Sequence, residues 1–446
     1  MNLPGTMQID ANGHLQIGQC DVIQLANTYG TPLYILDEMA LRQKCREYHR
    51  AFREFYPDYQ ILYASKAFST MAICRLMEQE GLGLDVVSGG ELFTALAADF
   101  PPENICFHGN NKSVEELNFA LASGIGRIVV DNAWELEILA KLAEGKKSKA
   151  NILLRITPGI EAHTHHYIQT GQTDSKFGIS LDDGTALTVV ERALQLPQIS
   201  LLGIHCHIGS QIFNLDSFVL AAQRMLKFMA EVKKHTKHQL LELNMGGGLG
   251  IKYTENDTPV TCTEYVQRLA QAIREYCRDY NLLLPKLLIE PGRSLVGDVG
   301  TAVYQVGAIK EIRGVRTYAS VDGGMSDNLR PALYEAEYKA IVANKAKLPA
   351  VKNYTIAGKC CESGDILIRD ISLPSLAPGD LLAVLSSGAY QYSMANNYNR
   401  LPRPAVILVG NGQAHLIIRR ETYQDLIRCD QIPNGWGKKK VTSFVV

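Results

Sequence analysis

No apolar run in this chain approaches the roughly 18 residues of a membrane span, which argues against a helical membrane protein. The first ten residues lack a basic stretch followed by an apolar core, so no secretory signal is expected. Charge of either sign is not in excess: the net is −1, so a broadly basic surface for nucleic acid has no support. Lys438-Lys-Lys440 reads as a solvated tail. Ten cysteines are present but none forms C-x-x-C, and their spacing is irregular. A chain of 446 residues needs no disulfide framework, so reduced thiols and a cytoplasmic location are expected. There is no low-complexity tract, and the one glycine run, Met245-Gly-Gly-Gly-Leu-Gly250, is neither G-x-G-x-x-G nor a P-loop.

What is there is periodic. Eight short apolar runs, at 60–64, 84–88, 105–108, 127–131, 152–156, 202–207, 241–244 and 287–290, alternate with mostly helical segments. Eight such units are what a closed parallel (β/α)8 TIM-like barrel requires. Residues 39–55 carry Leu41, Cys45, Tyr48, Phe52 and Phe55 at helical spacing, and Ser113-Val-Glu-Glu116 is a capping-box pattern. The fifth connection, 157–196, spans about 40 residues, a length that points to function or to structure of its own. After Gly292 the texture turns to short β-rich pieces separated by Gly, Pro, Asp and Asn. The expected architecture is therefore α/β: a barrel over 36–300, and an all-β domain built from 1–35 and 301–446.

A barrel collects its chemistry at the C-terminal ends of its strands. Lys66 ends the first strand; desolvated there, its amine would be a nucleophile toward a carbonyl, and a surface or ion-paired lysine is the plain alternative. The glycine run follows strand seven, where barrels commonly hold phosphate. Glu290-Pro-Gly-Arg293 ends strand eight. A buried acid there needs a partner, which could be Arg293 or the pyridinium nitrogen of a cofactor. His205 and His207 alternate onto one strand face, but without an obvious third and fourth ligand no metal is expected. His163-Thr-His-His166 reads as plain loop. Of the neighbours Cys360 and Cys361, one could be a reactive thiol and either could be a buried small residue.

Together these segments resemble the diaminopimelate decarboxylases, pyridoxal-phosphate enzymes of the alanine-racemase-like fold type III. The matching runs cover nearly the whole chain: Tyr63-Ala-Ser-Lys66, Asp85-Val-Val-Ser-Gly-Gly-Glu91, His108-Gly-Asn-Asn-Lys112, Asp174-Ser-Lys-Phe-Gly178, His205-Cys-His-Ile-Gly-Ser210, Gly246-Gly-Gly248, Glu290-Pro-Gly-Arg293, Asn328-Leu-Arg-Pro-Ala-Leu-Tyr334, Cys361-Glu-Ser-Gly-Asp365 and Gly388-Ala-Tyr390. The resemblance implies a homodimer with composite active sites and pyridoxal 5'-phosphate held by Lys66 as a Schiff base. It implies that Asp85 contacts the cofactor, that His207 stacks on its ring and that Glu290 faces its nitrogen. It implies that Ser210, Gly248 and the backbone of Gly292 and Arg293 hold its phosphate. Arg293, Arg330, Tyr334 and Glu362 bind substrate, Tyr390 contacts cofactor and substrate, and Cys361 reaches in from the partner subunit as proton donor.

A dicarboxylic diamine, meso-diaminopimelate, suits an arginine pair, whereas an ornithine decarboxylase would want acidic groups at the far end. A same-fold decarboxylase of another basic amino acid or of carboxynorspermidine is the alternative. An inactive binding homologue would be expected to lack Lys66 or Cys361, and both are present.

Overall fold

A computed structural model describes residues 3–160 and 175–436. Its barrel strands are Tyr59–Ala64, Gly83–Val86, Ile105–Phe107, Arg127–Val130, Ala150–Thr157, Ile199–His205, Glu242–Asn244 and Lys286–Ile289, each paired in parallel with the next. The eighth closes on the first, Leu287 opposite Tyr59 and Ile289 opposite Ile61. The closed barrel is the one the apolar runs predict. The strand period of two sorts the side chains. Leu62, Cys106, Val129, Leu153 and Leu288 pack together as an inner layer. Ile61 and Tyr63 point the other way, into the core beneath the helices.

The helices follow from amphipathic spacing and polar caps. In Glu38–Phe55, Leu41, Cys45, Tyr48 and Phe52 are buried and Phe55 packs against them. Ser113 and Glu116 form the expected capping box at the start of Val114–Ala122. The long fifth connection has structure of its own: a short strand, Ile179–Ser180, added beside the fifth barrel strand, and the helix Thr185–Gln195. His163, His165, His166 and Asp174 lie outside the described residues, as do Lys438–440.

The second sheet is built around one long strand, Gly300–Ile312, which pairs antiparallel with Arg316–Val321, Leu381–Val384 and the N-terminal Leu33–Asp37. Leu33–Asp37 also pairs with Ala405–Gly410, so the first residues of the chain are locked between strands from its last third. Leu15, Ile17, Leu33 and Ile35 share a buried cluster with Val303 and Ile407. Two strands carry no clear sequence signal. Ile366–Leu373 contains exposed Arg369 and Asp370, and Gln413–Ile418 is an edge strand buried only in part. No helix among the described residues is long and apolar enough to cross a membrane.

Candidate active site

The alternation that buries the inner layer also builds the site above it. Two residues beyond Leu62, Cys106, Val129, Leu153 and Leu288 stand Ala64, His108, Asp131, Arg155 and Glu290. The last four are buried polar groups at the C-terminal end of the barrel. A cavity of about 550 Å³ opens there, within the usual range for a small-molecule site. From the barrel, Lys66, Asp85, His207, Ser210, Gly248, Glu290, Gly292 and Arg293 line it; from the second sheet's side come Arg330, Tyr334 and Tyr390. Cys361 and Glu362 are not among the lining residues, and both are exposed.

Lys66 sits in a single 3-10 turn, Ser65–Ala67, directly after the first strand. Its side chain is exposed and borders the cavity, so of the two readings the sequence left open, a desolvated amine or a surface lysine, this structure shows the exposed one. The reason is local: a turn at the mouth lifts Lys66 off the strand while Ser65 and Ala67 on either side are buried. The carbonyl of Ala67 accepts from the Tyr390 N–H at 2.8 Å and from Ser393 Oγ at 2.8 Å, which ties the second domain to the lysine turn.

Glu290 does not pair with Arg293. Its Oε1 lies 2.8 Å from His108 Nε2 and accepts from Asn244 Nδ2 at 2.7 Å, while Oε2 contacts His205 Nε2 at 3.2 Å. Burial works to raise the pKa of this carboxyl, but His108 and His205 outweigh it and hold the acid well below the usual carboxylate range. Burial opposes the cationic form of His108 in turn, yet Asp85 and Glu290 raise it well above the ordinary imidazole value. Asp85 Oδ1 is 3.6 Å from the same Nε2 and is a buried oxygen without a hydrogen-bond partner; burial raises its pKa. His205 is pushed down to about 4, chiefly by burial, so it is a neutral donor to Glu290. The ligand atoms of Cys106, His108 and Glu290 fall within 4.8 Å of one another. The His108–Glu290 ion pair by itself accounts for that clustering.

His207 lies two residues beyond the end of its strand, so a loop sets its position rather than strand alternation. The Gly247 N–H donates to its Nδ1 at 3.3 Å, which makes that nitrogen an acceptor and the ring neutral. Burial, reinforced by Lys66, lowers its pKa well below the ordinary value, in agreement. The glycines here are obligatory. A Cβ on Gly247 would lie 2.1 Å from the Glu290 carbonyl oxygen, and one on Gly248, at φ +125°, 2.5 Å from that of Gly209.

Arg293 donates instead to Tyr253 Oη at 2.7 Å and Ser210 Oγ at 2.9 Å. Arg330 is hydrogen-bonded to the Tyr338 hydroxyl and lies over the Tyr253 ring at 5.1 Å. Both guanidiniums are buried, and among the described residues neither has a carboxylate ion-pair partner. Sequence reasoning missed Tyr253, and it assigned no role to His108, His205 and Asn244. For His108 the signal was available, since it lies two positions beyond the inward-facing Cys106.

The two neighbouring cysteines are separated in environment. Cys360 is buried, and burial raises its thiol pKa. Cys361 is exposed, and its N–H is held by Asn399 Oδ1 at 2.7 Å. The run is folded by Asp365, which accepts from the backbone of Cys360 at 2.8 Å and of Met325 at 2.7 Å.

Comparison with known proteins gives one direction. The family description for the pyridoxal-binding domain of pyridoxal-dependent decarboxylases matches residues 41–297. Diaminopimelate decarboxylase of Bacillus subtilis (strain 168) is 54% identical over 440 residues, covering 99% of this chain and 100% of that protein. The chain belongs to the diaminopimelate decarboxylase family. The enzyme of Bacillus methanolicus is 52% identical, over 94% of this chain and 98% of its own. The solved diaminopimelate decarboxylase of M. jannaschii in co-complex with L-lysine is 37% identical with a TM-score of 0.89, over 96% of this chain and 98% of that one.

Pyridoxal phosphate, the cofactor of the family, fits this donor set. The triple glycine admits no side chain where an anion would approach, and Ser210 stands beside it with a hydroxyl. Asp85 offers a buried acceptor lacking a partner, Glu290 an anion and His207 a flat neutral ring.

Proposed function

We propose that this chain catalyses the pyridoxal-phosphate-dependent decarboxylation of meso-2,6-diaminopimelate to L-lysine and carbon dioxide, the last step of lysine biosynthesis. Two buried guanidiniums at one cavity, neither in an ion pair with a carboxylate among the described residues, carry the reading. A substrate with a second carboxylate supplies the missing charge, and buried charge needs pairing. Near-full-length identity of 54% to a diaminopimelate decarboxylase supports the same choice.

When bound, pyridoxal phosphate supplies an electron sink for the bond that releases carbon dioxide. The chain's own residues do the rest. Lys66 would hold the cofactor through its amine. Glu290, kept anionic by His108 and His205, would face the ring nitrogen and keep it protonated, with Asp85 as a further contact. His207 presents its neutral ring face. Ser210, Gly248 and the backbone of Gly292 and Arg293 would receive the phosphate. The Arg293 side chain, Arg330 and Tyr334, with Glu362 on the distal amine, would bind the unreacting end of the substrate, and Tyr390 would contact cofactor and substrate.

Cys361 would serve as the proton donor, through Sγ, once carbon dioxide has left. Its exposure and its absence from the cavity lining support delivery from a second subunit, hence a homodimer with composite sites. We also propose that 36–300 act as the cofactor-binding unit and 1–35 with 301–446 as the β domain; the family match over 41–297 supports the division. A cytoplasmic location is supported by ten cysteines that all occur as free thiols.

Product analysis with meso-diaminopimelate, ornithine, arginine and lysine in competition tests the function. Lysine as the dominant product is expected. Preferential consumption of ornithine or arginine would sink it.

A further inference from the structure

Tyr253 stands where the two buried arginines meet. Its hydroxyl accepts from Arg293 Nη1 at 2.7 Å, its ring lies under Arg330 at 5.1 Å and under Arg293 at 5.7 Å, and Tyr338 packs edge-on at 5.5 Å. A chain of contacts thus runs from Ser210 through Arg293, Tyr253 and Arg330 to Tyr338, from the glycine cradle to the second domain. Tyr253 is itself aimed by a tight turn: Asp257 Oδ2 accepts from the N–H groups of Tyr253 at 3.0 Å and Thr254 at 2.8 Å, and from Thr254 Oγ1 at 3.2 Å.

We propose that Tyr253 is a positioning residue for substrate selection, holding Arg293 and Arg330 at a fixed separation so that they grip a carboxylate at the substrate's far end. Two like charges in one buried cavity repel, and a long arginine left free loses rotamer entropy whenever it must be ordered. A phenol oxygen and a π face between them offset both effects before the substrate arrives. Burial works to raise the Tyr253 pKa, and the two arginines overcome it, as expected of a hydroxyl that both cations address. The proposal rests on the decarboxylase reading of the site and names the residue that turns two cations into a preference for a dicarboxylic substrate.

The test uses holoenzyme and the Tyr253→Phe variant, which keeps the ring and removes the acceptor. KM for meso-diaminopimelate is expected to rise about tenfold, about 1.4 kcal/mol, with kcat changing less than about twofold. Inhibition constants give the selective readout. L-Lysine, which retains the far carboxylate, is expected to lose about tenfold in affinity, while 1,5-diaminopentane, which lacks it, changes less than about twofold. Equal losses for the two ligands, or none for lysine, would overturn the proposal. Should Tyr253→Phe fail to take up cofactor, Asp257→Ala, which frees the turn behind Tyr253, reads the same contrast; a loss confined to lysine supports it and equal losses reject it. If the unaltered protein fails to convert meso-diaminopimelate, the functional reading falls, and the two ligand affinities still decide the role of Tyr253 separately.

Discussion

At the scale of single residues the site is an arrangement of charges that correct one another. Among the described residues, Lys66 is the sole lysine lining the cavity. Lys66→Ala is expected to abolish both turnover and the visible absorbance of the bound cofactor, measured by lysine formation and by absorption spectra; unchanged turnover would remove the mechanism. His108 gives a prediction with a sign. Its folded pKa lies well above the unfolded value of about 6.5. The stability it contributes is therefore complete below about pH 6.5 and is lost as the pH rises through the folded value. Glu290 runs the opposite way, contributing above about pH 4.3 and losing that contribution as the pH falls through its depressed value. Thermal unfolding of His108→Gln apoprotein should thus differ most from the unaltered chain near pH 6 and converge with it at alkaline pH. A difference independent of pH would show that His108 is not held as a cation.

At the scale of elements, short polar motifs at strand ends and helix starts decide where chemistry can occur. The seventh strand is only three residues long, Glu242–Asn244, and the glycines after it pass so close to neighbouring backbone that no Cβ fits. Gly247→Ala places a methyl 2.1 Å from the Glu290 carbonyl oxygen. The loop must then move, and cofactor affinity is expected to fall at least about tenfold, read by reconstitution of apoenzyme; unaltered affinity would separate the loop from the phosphate. Much at this scale was legible beforehand. Eight apolar runs fall on the eight barrel strands because each interior strand must be apolar on both faces. The capping box at Ser113 was visible because its hydrogen bonds are local. Ile366–Leu373 was not, since its exposed Arg369 and Asp370 break the pattern and its pairing with Lys352–Ala357 supplies the order instead.

At the scale of the whole molecule, two sheets meet over one cavity, and residues 300 positions apart share it. The Tyr390 N–H on the Ala67 carbonyl fastens the two halves beside the lysine. Cys361 and Glu362 remain outside, exposed, which gives the composite-site proposal its test. Mixed Lys66→Ala and Cys361→Ala chains should regain part of the activity that each lacks alone, because one site of a hybrid would hold both intact residues. Hybrids shown to form by mass but remaining inactive would argue against a shared site.

The sequence by itself determined the barrel, the β-rich second domain with its N-terminal strand, and the gathering of Lys66, the triple glycine and the Glu290 motif at the mouth. Those follow from periodicity of two and of 3.6, from caps and from glycine, all of them short-range properties of the chain. Only the tertiary structure decided who partners whom. The sequence offered Glu290 the nearby Arg293, three residues away; it took His108, His205 and Asn244 from the ends of three other strands, and Arg293 took Tyr253 and Ser210. Barrel closure brings strand ends together whatever their distance in sequence, and a buried charge then pairs with the nearest complementary group in space.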